Sequence, residues 1–171
     1  MGQKEGGELT DFDRYVELYS RDLWRFCLKL CADSRDAEDL YQDTWAKAIE
    51  KYKRFRQGTD FRKWLFTICV NSFKDSGKSK YNSTKLDFRD NDEKERYLLS
   101  VPADEQDIDS YIDLRRALLS LPKKYRVVIA LFYFKDFSLK EISDILNIPV
   151  GTVNSRLSTA KKLLKRRLSH E

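Results

Sequence analysis

Asn154, Ser155 and Arg156 stand together shortly after Pro149, and Lys161, Lys162, Lys165, Arg166 and Arg167 follow with no acid between Asp144 and Glu171. Side chains of these types recognise polyanions. Asn and Arg match base edges with paired hydrogen bonds, Ser and Thr bond to either partner, and Lys and Arg neutralise phosphates. Thr152 and Thr159 complete the polar set. A cationic run by itself describes a solvated helix face equally well, so its placement has to decide.

A second constellation lies at 61–74, where Phe61, Trp64, Phe66 and Phe73 interleave with Arg62, Lys63, Asn71 and Lys74. Aromatic faces can stack unpaired bases and cations can follow a strand backbone, so the pattern suits separated nucleic-acid strands. Trp64, Leu65 and Ile68 also read as plain core, and for Trp64 that is the better reading. A third group, Asp36, Glu38, Asp39, Gln42 and Asp43, forms an acidic surface suited to a basic helical partner or simply to water.

Catalytic and metal chemistry find no support. Cys27 and Cys31 share a helix face at i, i+4, but Cys69 and His170 lie in other segments, and a structural zinc site needs four ligands. The cysteines are expected to be buried small hydrophobes, and an odd number of them without C-x-x-C spacing fits a reducing compartment. No histidine, nucleophile array or glycine loop accompanies the carboxylates, so no enzyme active site, cofactor site or small-molecule substrate is expected.

These residues must be positioned by helices. Phe12, Tyr15, Val16, Tyr19, Leu23, Phe26 and Leu30 recur at steps of three and four, which predicts one long helix over 11–31. Ser34 before Asp36, Glu38 and Asp39 predicts a capped second helix running to about Phe55. Thr59 or Asp60 can cap a third, through Phe61, Trp64, Leu65 and Ile68 to about Phe73. From 76 to 107 the pattern dissolves into glycine, serine and alternating charge, which reads as a flexible linker. Periodicity resumes at Ile108, Ile112, Leu114, Leu118 and Leu119, and Pro122 suits the opening of the next helix.

The strongest local signal follows. Ser138-Leu139-Lys140-Glu141 has capping-box spacing ahead of Ile142, Ile145 and Leu146, and Asn147-Ile148-Pro149 then stops that helix while Pro149 suits the start of another. In the new helix Val153, Leu157, Ala160, Leu164 and Leu168 form the expected buried stripe, which leaves Asn154, Ser155, Arg156, Ser158, Thr159, Lys161 and Lys162 facing out. Two helices joined by so short a turn, the second basic, fit a helix-turn-helix that lays its second helix in the major groove.

Charge divides the chain in the same way: neutral over 1–75, net −3 over 76–110 and +8 over 111–171, for +5 in all. At 171 residues, 41% hydrophobic and 36% charged, with only 6 glycines and 3 prolines, the chain folds and should be mostly helical. No run of about 18 apolar residues occurs and the N-terminal stretch lacks a signal-peptide core, so a cytoplasmic location is expected. The expected architecture is all-α, with two small helical domains, 9–75 and 108–169, joined by the linker at 76–107.

Together these motifs resemble one family, the extracytoplasmic function (group IV) sigma factors of RNA polymerase. DAEDLYQDTW at 36–45 resembles its region-two signature, FRKWLFTICVNSFKD at 61–75 its promoter-opening helix, and LPKKYRVVIALFYFKDFSLKEISDILNIPVGTVNSRLSTAKKLL at 121–164 its region four. The resemblance implies that Asp36, Asp39, Leu40, Gln42, Asp43 and Trp45 belong to the surface that docks on core RNA polymerase. Lys63, Trp64, Asn71, Lys74 and Lys78 would serve the minus-ten element of promoter DNA, Asn71 at the pocket for a flipped base. Thr152, Asn154, Ser155, Arg156, Thr159, Lys161 and Lys162 would face the minus-thirty-five element. Some relatives carry an aromatic residue and an arginine where this chain has Ser158 and Thr159, which leaves the upstream sequence preference open. Such factors are usually held inactive by an anti-sigma factor, often membrane-anchored. A stand-alone helix-turn-helix regulator is the alternative that the sequence leaves in play.

Overall fold

The computed structural model describes residues 10–76 and 108–169, with side chains from 112 onward in the second stretch. Residues 77–107 of the expected linker, Lys78 among them, and His170 lie outside them. Among the described residues every regular element is a helix. In the first lobe α1 spans Asp11–Leu30, α2 Ser34–Lys51 with a 3-10 turn at Tyr52–Arg54, and α3 Phe61–Asp75. In the second, α4 spans Ile108–Leu119, α5 Lys123–Ile129, α6 Leu139–Leu146 and α7 Val150–Leu168.

Side-chain caps set most of the starts. Thr10 and Asp13 form a reciprocal box, the Asp13 N–H donating to Thr10 Oγ1 at 3.2 Å and the Thr10 N–H to Asp13 Oδ2 at 2.9 Å. Asp33, not Ser34, caps α2: its Oδ1 accepts from the Arg35 N–H at 2.7 Å, while Ser34 is already helical. A carboxylate at this position also gains from the helix dipole. Of the two candidates for α3, Asp60 caps, accepting from the Lys63 N–H at 3.2 Å.

The predicted capping box at 138–141 is present, with Glu141 N–H to Ser138 Oγ at 3.1 Å and Ser138 N–H to Glu141 Oε2 at 2.8 Å. Asn147 then closes α6 in the left-handed conformation, at φ 52°, which asparagine tolerates better than most residues. Ser143 Oγ donates to the Ile148 carbonyl at 2.6 Å and fixes the turn. Pro122 and Pro149 stand at the caps of α5 and α7, where a missing N–H costs nothing. In α7, Val153, Leu157 and Ala160 are buried as expected. Leu164 is only half-buried and Leu168 is exposed, because α7 outruns the helices beneath it.

After Ile129 the chain widens into a π-helical turn, Ala130–Phe134, which the apolar periodicity did not reveal. The turn and a left-handed Asp136 deliver Phe137 into the interior, with its N–H donating to the Leu131 carbonyl at 3.1 Å.

The two lobes share one core. Phe26, Phe66 and Phe73 of the first and Phe137, Ile142 and Val153 of the second belong to a continuous cluster of buried residues, and the Phe66 and Phe137 rings meet at 5.6 Å. The two helical domains are present as expected, and they also pack on one another: α3 on α6, and α1 on α4 and α5. Phe66 packs on Phe26 of its own lobe at 5.0 Å and on Phe137 of the other at 5.6 Å, so its ring belongs to both interiors. No helix among the described residues is long and apolar enough to cross a membrane.

Candidate nucleic-acid interface

The α6 turn aims α7 outward, and the stripe of Val153, Leu157 and Ala160 fixes which face is free. Asn154, Ser155, Thr159, Lys161 and Lys162 are exposed on it, while Thr152 and Arg156 are half-buried at its edge. Ser155 Oγ donates to the Thr152 carbonyl at 3.1 Å, so its hydroxyl leans back along the helix. The Lys161 ammonium lies 5.5 Å from the Tyr133 ring centre, a cation–π contact that holds it beside the groove-facing surface. A polar N-terminal turn followed by cations at each later turn can read base edges and then hold phosphates.

Helix α3 carries the second set. Lys63, Asn71 and Lys74 recur at helical spacing and share one face, with Asn71 and Lys74 exposed. Lys63 does not point freely at solvent: its ammonium pairs with Asp144 of α6 at 2.8 Å. Trp64 is neither pure core nor free platform. It is half-buried, tilted against Phe55 at 4.9 Å and Phe61 at 5.3 Å, at the end of an aromatic cluster in which Tyr15 stacks flat on Phe61 at 3.9 Å. Asn71 and Lys74 are therefore open in this arrangement, and Lys63 is closed.

The acidic surface of α2 is partly as expected. Asp39 and Gln42 are exposed, and Asp36 and Asp43 are half-buried. Leu40 and Trp45, by contrast, are core residues that support this surface from behind, with the Trp45 ring edge-on to Phe12 at 5.9 Å. Spacing of three and four along the exposed side continues Asp39 and Gln42 into Ala46 and Ile49, and Ile49 is exposed. Ile49 carries no acid, so the acidic pattern of α2 gives no signal for it. Burial, with Asp33 and Asp39 nearby, pushes the Asp36 carboxyl up to about 6.

Arg115, Arg126 and Lys135 carried no expected role, and Arg62 takes one other than strand contact. Arg115 donates from Nε to the Leu28 carbonyl at 2.9 Å and from Nη2 to the Cys31 carbonyl at 2.7 Å. Arg126 donates from Nη1 to the Leu30 carbonyl at 2.7 Å, and from Nη2 to Leu119 and Leu121 of its own lobe at 2.6 and 2.9 Å. Lys135 pairs with Asp22 at 3.1 Å, and Arg62 donates to the Lys135 carbonyl while lying 4.2 Å from the Phe137 ring centre. Burial pushes Lys135 down, and Asp22 works against that shift. A signal was present: Arg115 falls between Ile112 and Leu118–Leu119 on the apolar face of α4, and Lys135 sits within a phenylalanine-rich run.

The cysteines are buried, with Cys27 and Cys69 sulfurs 3.9 Å apart, and burial pushes the Cys27 and Cys31 thiols well up, away from reactivity. Among the described residues no group of His, Cys, Asp and Glu could hold a metal ion.

Comparison with known proteins adds an independent finding. Residues 15–81 match the family model for Sigma-70 region 2, and residues 111–164 that for Sigma-70, region 4. The chain is 29% identical to the ECF RNA polymerase sigma factor SigW of Bacillus subtilis over 97% of its own length and 93% of that protein. It is 28% identical to SigM of the same organism, over 90% and 92%. Among solved structures, the sigma factor RpoE in complex with the anti-sigma factor NepR from Bartonella quintana superposes with a TM-score of 0.73 at 28% identity, covering 93% of this chain and 97% of that one. CnrH, in complex with the cytosolic domain of CnrY, superposes with a TM-score of 0.68 at 23% identity, over 94% and 88%, and so shares the fold.

Proposed function

The chain belongs to the sigma-70 family, in its extracytoplasmic function branch, and we propose that it directs core RNA polymerase to its promoters under the control of an anti-sigma factor. The observation that carries this reading is the order of the two matches: region 2 falls on the α1–α3 lobe and region 4 on the helix-turn-helix lobe, together spanning most of the chain. The same order overturns the stand-alone regulator, because the N-terminal lobe is a sigma region and not a sensor or dimerisation module.

We assign residues 9–75 to polymerase docking and minus-ten recognition, 76–107 to a linker, and 108–169 to minus-thirty-five recognition. The docking stripe is Asp36, Asp39, Gln42 and Asp43, extended by Ile49 and backed by Leu40 and Trp45. Lys63, Trp64, Asn71, Lys74 and Lys78 serve the opened minus-ten strand, with Asn71 exposed where a flipped base can be bonded on its edge. Thr152, Asn154, Ser155, Arg156, Thr159, Lys161 and Lys162 serve the upstream duplex. The polymerase performs the chemistry; the chain has no catalytic step of its own, needs no cofactor and acts in the cytoplasm.

Transcription in vitro with purified core polymerase on a promoter library tests the assignment. The chain should redirect RNA starts to one promoter class, and Asn71→Ala should impair strand opening while duplex binding by the holoenzyme is kept. Unchanged start sites with and without the chain would overturn it.

A further inference from the structure

We propose that Val150 is a specificity-determining residue of α7, and that its ligand is the 5-methyl group of a thymine in the upstream promoter element. The proposal rests on the reading of α7 as the helix that enters the upstream duplex, and it adds an apolar contact to the polar ones assigned there.

Val150 opens α7 directly after Pro149. At helical spacing it continues the stripe of Val153, Leu157 and Ala160 toward the N-terminus, and its neighbour on the open side is Asn154, four residues on. The chain covers the stripe itself, since Val153 and Ala160 are 0% exposed and Leu157 4%. Val150, by contrast, is 41% exposed. Cover fails there because α6 ends at Leu146 and Asn147 turns the chain in the left-handed conformation, which leaves both Val150 and Gly151 open to solvent.

The stability of the free chain does not account for these two residues. A β-branched side chain is a poorer helix former than alanine, and a valine left this open recovers only part of the burial that would offset the difference. Gly151 is poorer still, yet a Cβ added there would meet nothing within 4 Å, so no packing inside the chain requires a bare backbone. An apolar knob beside a position without a side chain makes sense against a flat partner that comes close to this turn.

A base-pair edge in the major groove is such a partner, and thymine alone among the bases presents a methyl group there. Asn154, Ser155 and Arg156 are hydrogen-bonding groups and gain nothing from that methyl. Val150 offers the complementary surface. Side chains at i and i+4 stand about 6 Å apart and stacked base pairs about 3.4 Å, so the thymine read by Val150 lies within about two steps of the base bonded by Asn154.

The test removes the methyl and nothing else. In the promoter class that the chain selects with core polymerase, each upstream thymine is exchanged in turn for deoxyuridine, which keeps every hydrogen-bonding atom, and holoenzyme affinity is measured for the parent, Val150→Ala and Val150→Ile. The parent should lose about 4-fold at one position, the worth of one buried methyl. Val150→Ala should be indifferent to the exchange at that position and unchanged at the other thymines, and Val150→Ile, which keeps the branch, should retain the discrimination. Alanine favours a helix better than valine, so the variant keeps α7 and its melting temperature should not fall. Equal deoxyuridine penalties in parent and Val150→Ala, or no penalty at any thymine, overturn the proposal. If the chain brings polymerase to no upstream element at all, the reading of α7 fails with it, an outcome that the parent alone reveals.

Discussion

Lys63 on α3 and Asp144 on α6, 81 positions apart in sequence, form an ion pair at 2.8 Å, with Lys140 completing the group at 3.4 Å from Asp144. A cation assigned to the opened DNA strand is thus neutralised by the first helix of the other DNA-binding element. The hydrogen bond from Lys63 is the main reason the Asp144 carboxyl lies below its ordinary range.

Because the pair is solvent-exposed, it contributes little to stability. Asp144→Asn should leave the melting temperature nearly unchanged yet free Lys63, so that the isolated chain binds single-stranded promoter DNA more tightly and with a steeper salt dependence. The depressed carboxyl means that the pair persists at neutral pH and is lost only as pH falls below the usual carboxylate range. Titration of DNA binding at several salt concentrations checks this; identical slopes for parent and variant would remove Lys63 from the strand-binding set.

The shared core predicts that the lobes unfold together. Phe137 is 1% exposed and packs on Phe66, so Phe137→Ala should cost about 3–5 kcal/mol and separate one cooperative transition into two. Denaturant unfolding followed by tryptophan fluorescence, which reports the first lobe through Trp24, Trp45 and Trp64, and by far-UV dichroism, which reports both, gives the readout. Two transitions already present in the parent would contradict a shared core.

How far the sequence revealed this protein follows from what each signal encodes. Periodicity and caps are local, so the helices, the 138–149 turn and the exposed face of α7 were readable from Ser138, Pro149 and Val153 alone. Three local details went otherwise, since Asp33 caps in place of Ser34, α2 ends at Lys51 and the chain takes a π turn after Ile129. The packing of one lobe on the other was not readable. Arg115 and Arg126 satisfy carbonyls more than 80 residues away, and a periodicity argument assigns a charged side chain to the surface unless it knows what lies opposite. The burial of Leu40 and Trp45 was not readable for the converse reason: a family motif marks residues without separating exposed side chains from those beneath the surface.

Asp36 carries a pH prediction of the opposite sense to an ordinary ion pair. Its carboxyl is pushed up to about 6 in the folded chain, chiefly by burial, against about 3.9 for an unfolded aspartate. The folded state therefore holds the proton more firmly, and ionisation above pH 6 opposes folding. The penalty is complete above that value, shrinks as pH falls from 6 to about 4, and is gone below. Asp36→Asn should raise the melting temperature at pH 7.5 and lose that advantage by pH 4. If it also weakens binding to core polymerase, Asp36 holds its unfavourable charge for docking; an equal gain at both pH values would show that its charge is not the cause.

Arg156 and Lys162 lie on the same helix and should fail in different ways. Arg156 follows the polar N-terminal turn and is half-buried, which limits its rotamers and fits a bidentate contact to a base edge, whereas Lys162 is exposed and suits phosphate as a mobile point charge. Arg156→Ala should cost about 1–3 kcal/mol at one upstream base pair and relax the preference there, leaving other positions unchanged. Lys162→Ala should weaken every sequence alike and lower the salt slope by about 1. Holoenzyme binding to a set of single-base promoter variants at two salt concentrations separates the two effects. A uniform loss for Arg156→Ala would move that residue from base reading to backbone anchoring, and the specificity of α7 would then rest on Asn154, Ser155 and Val150.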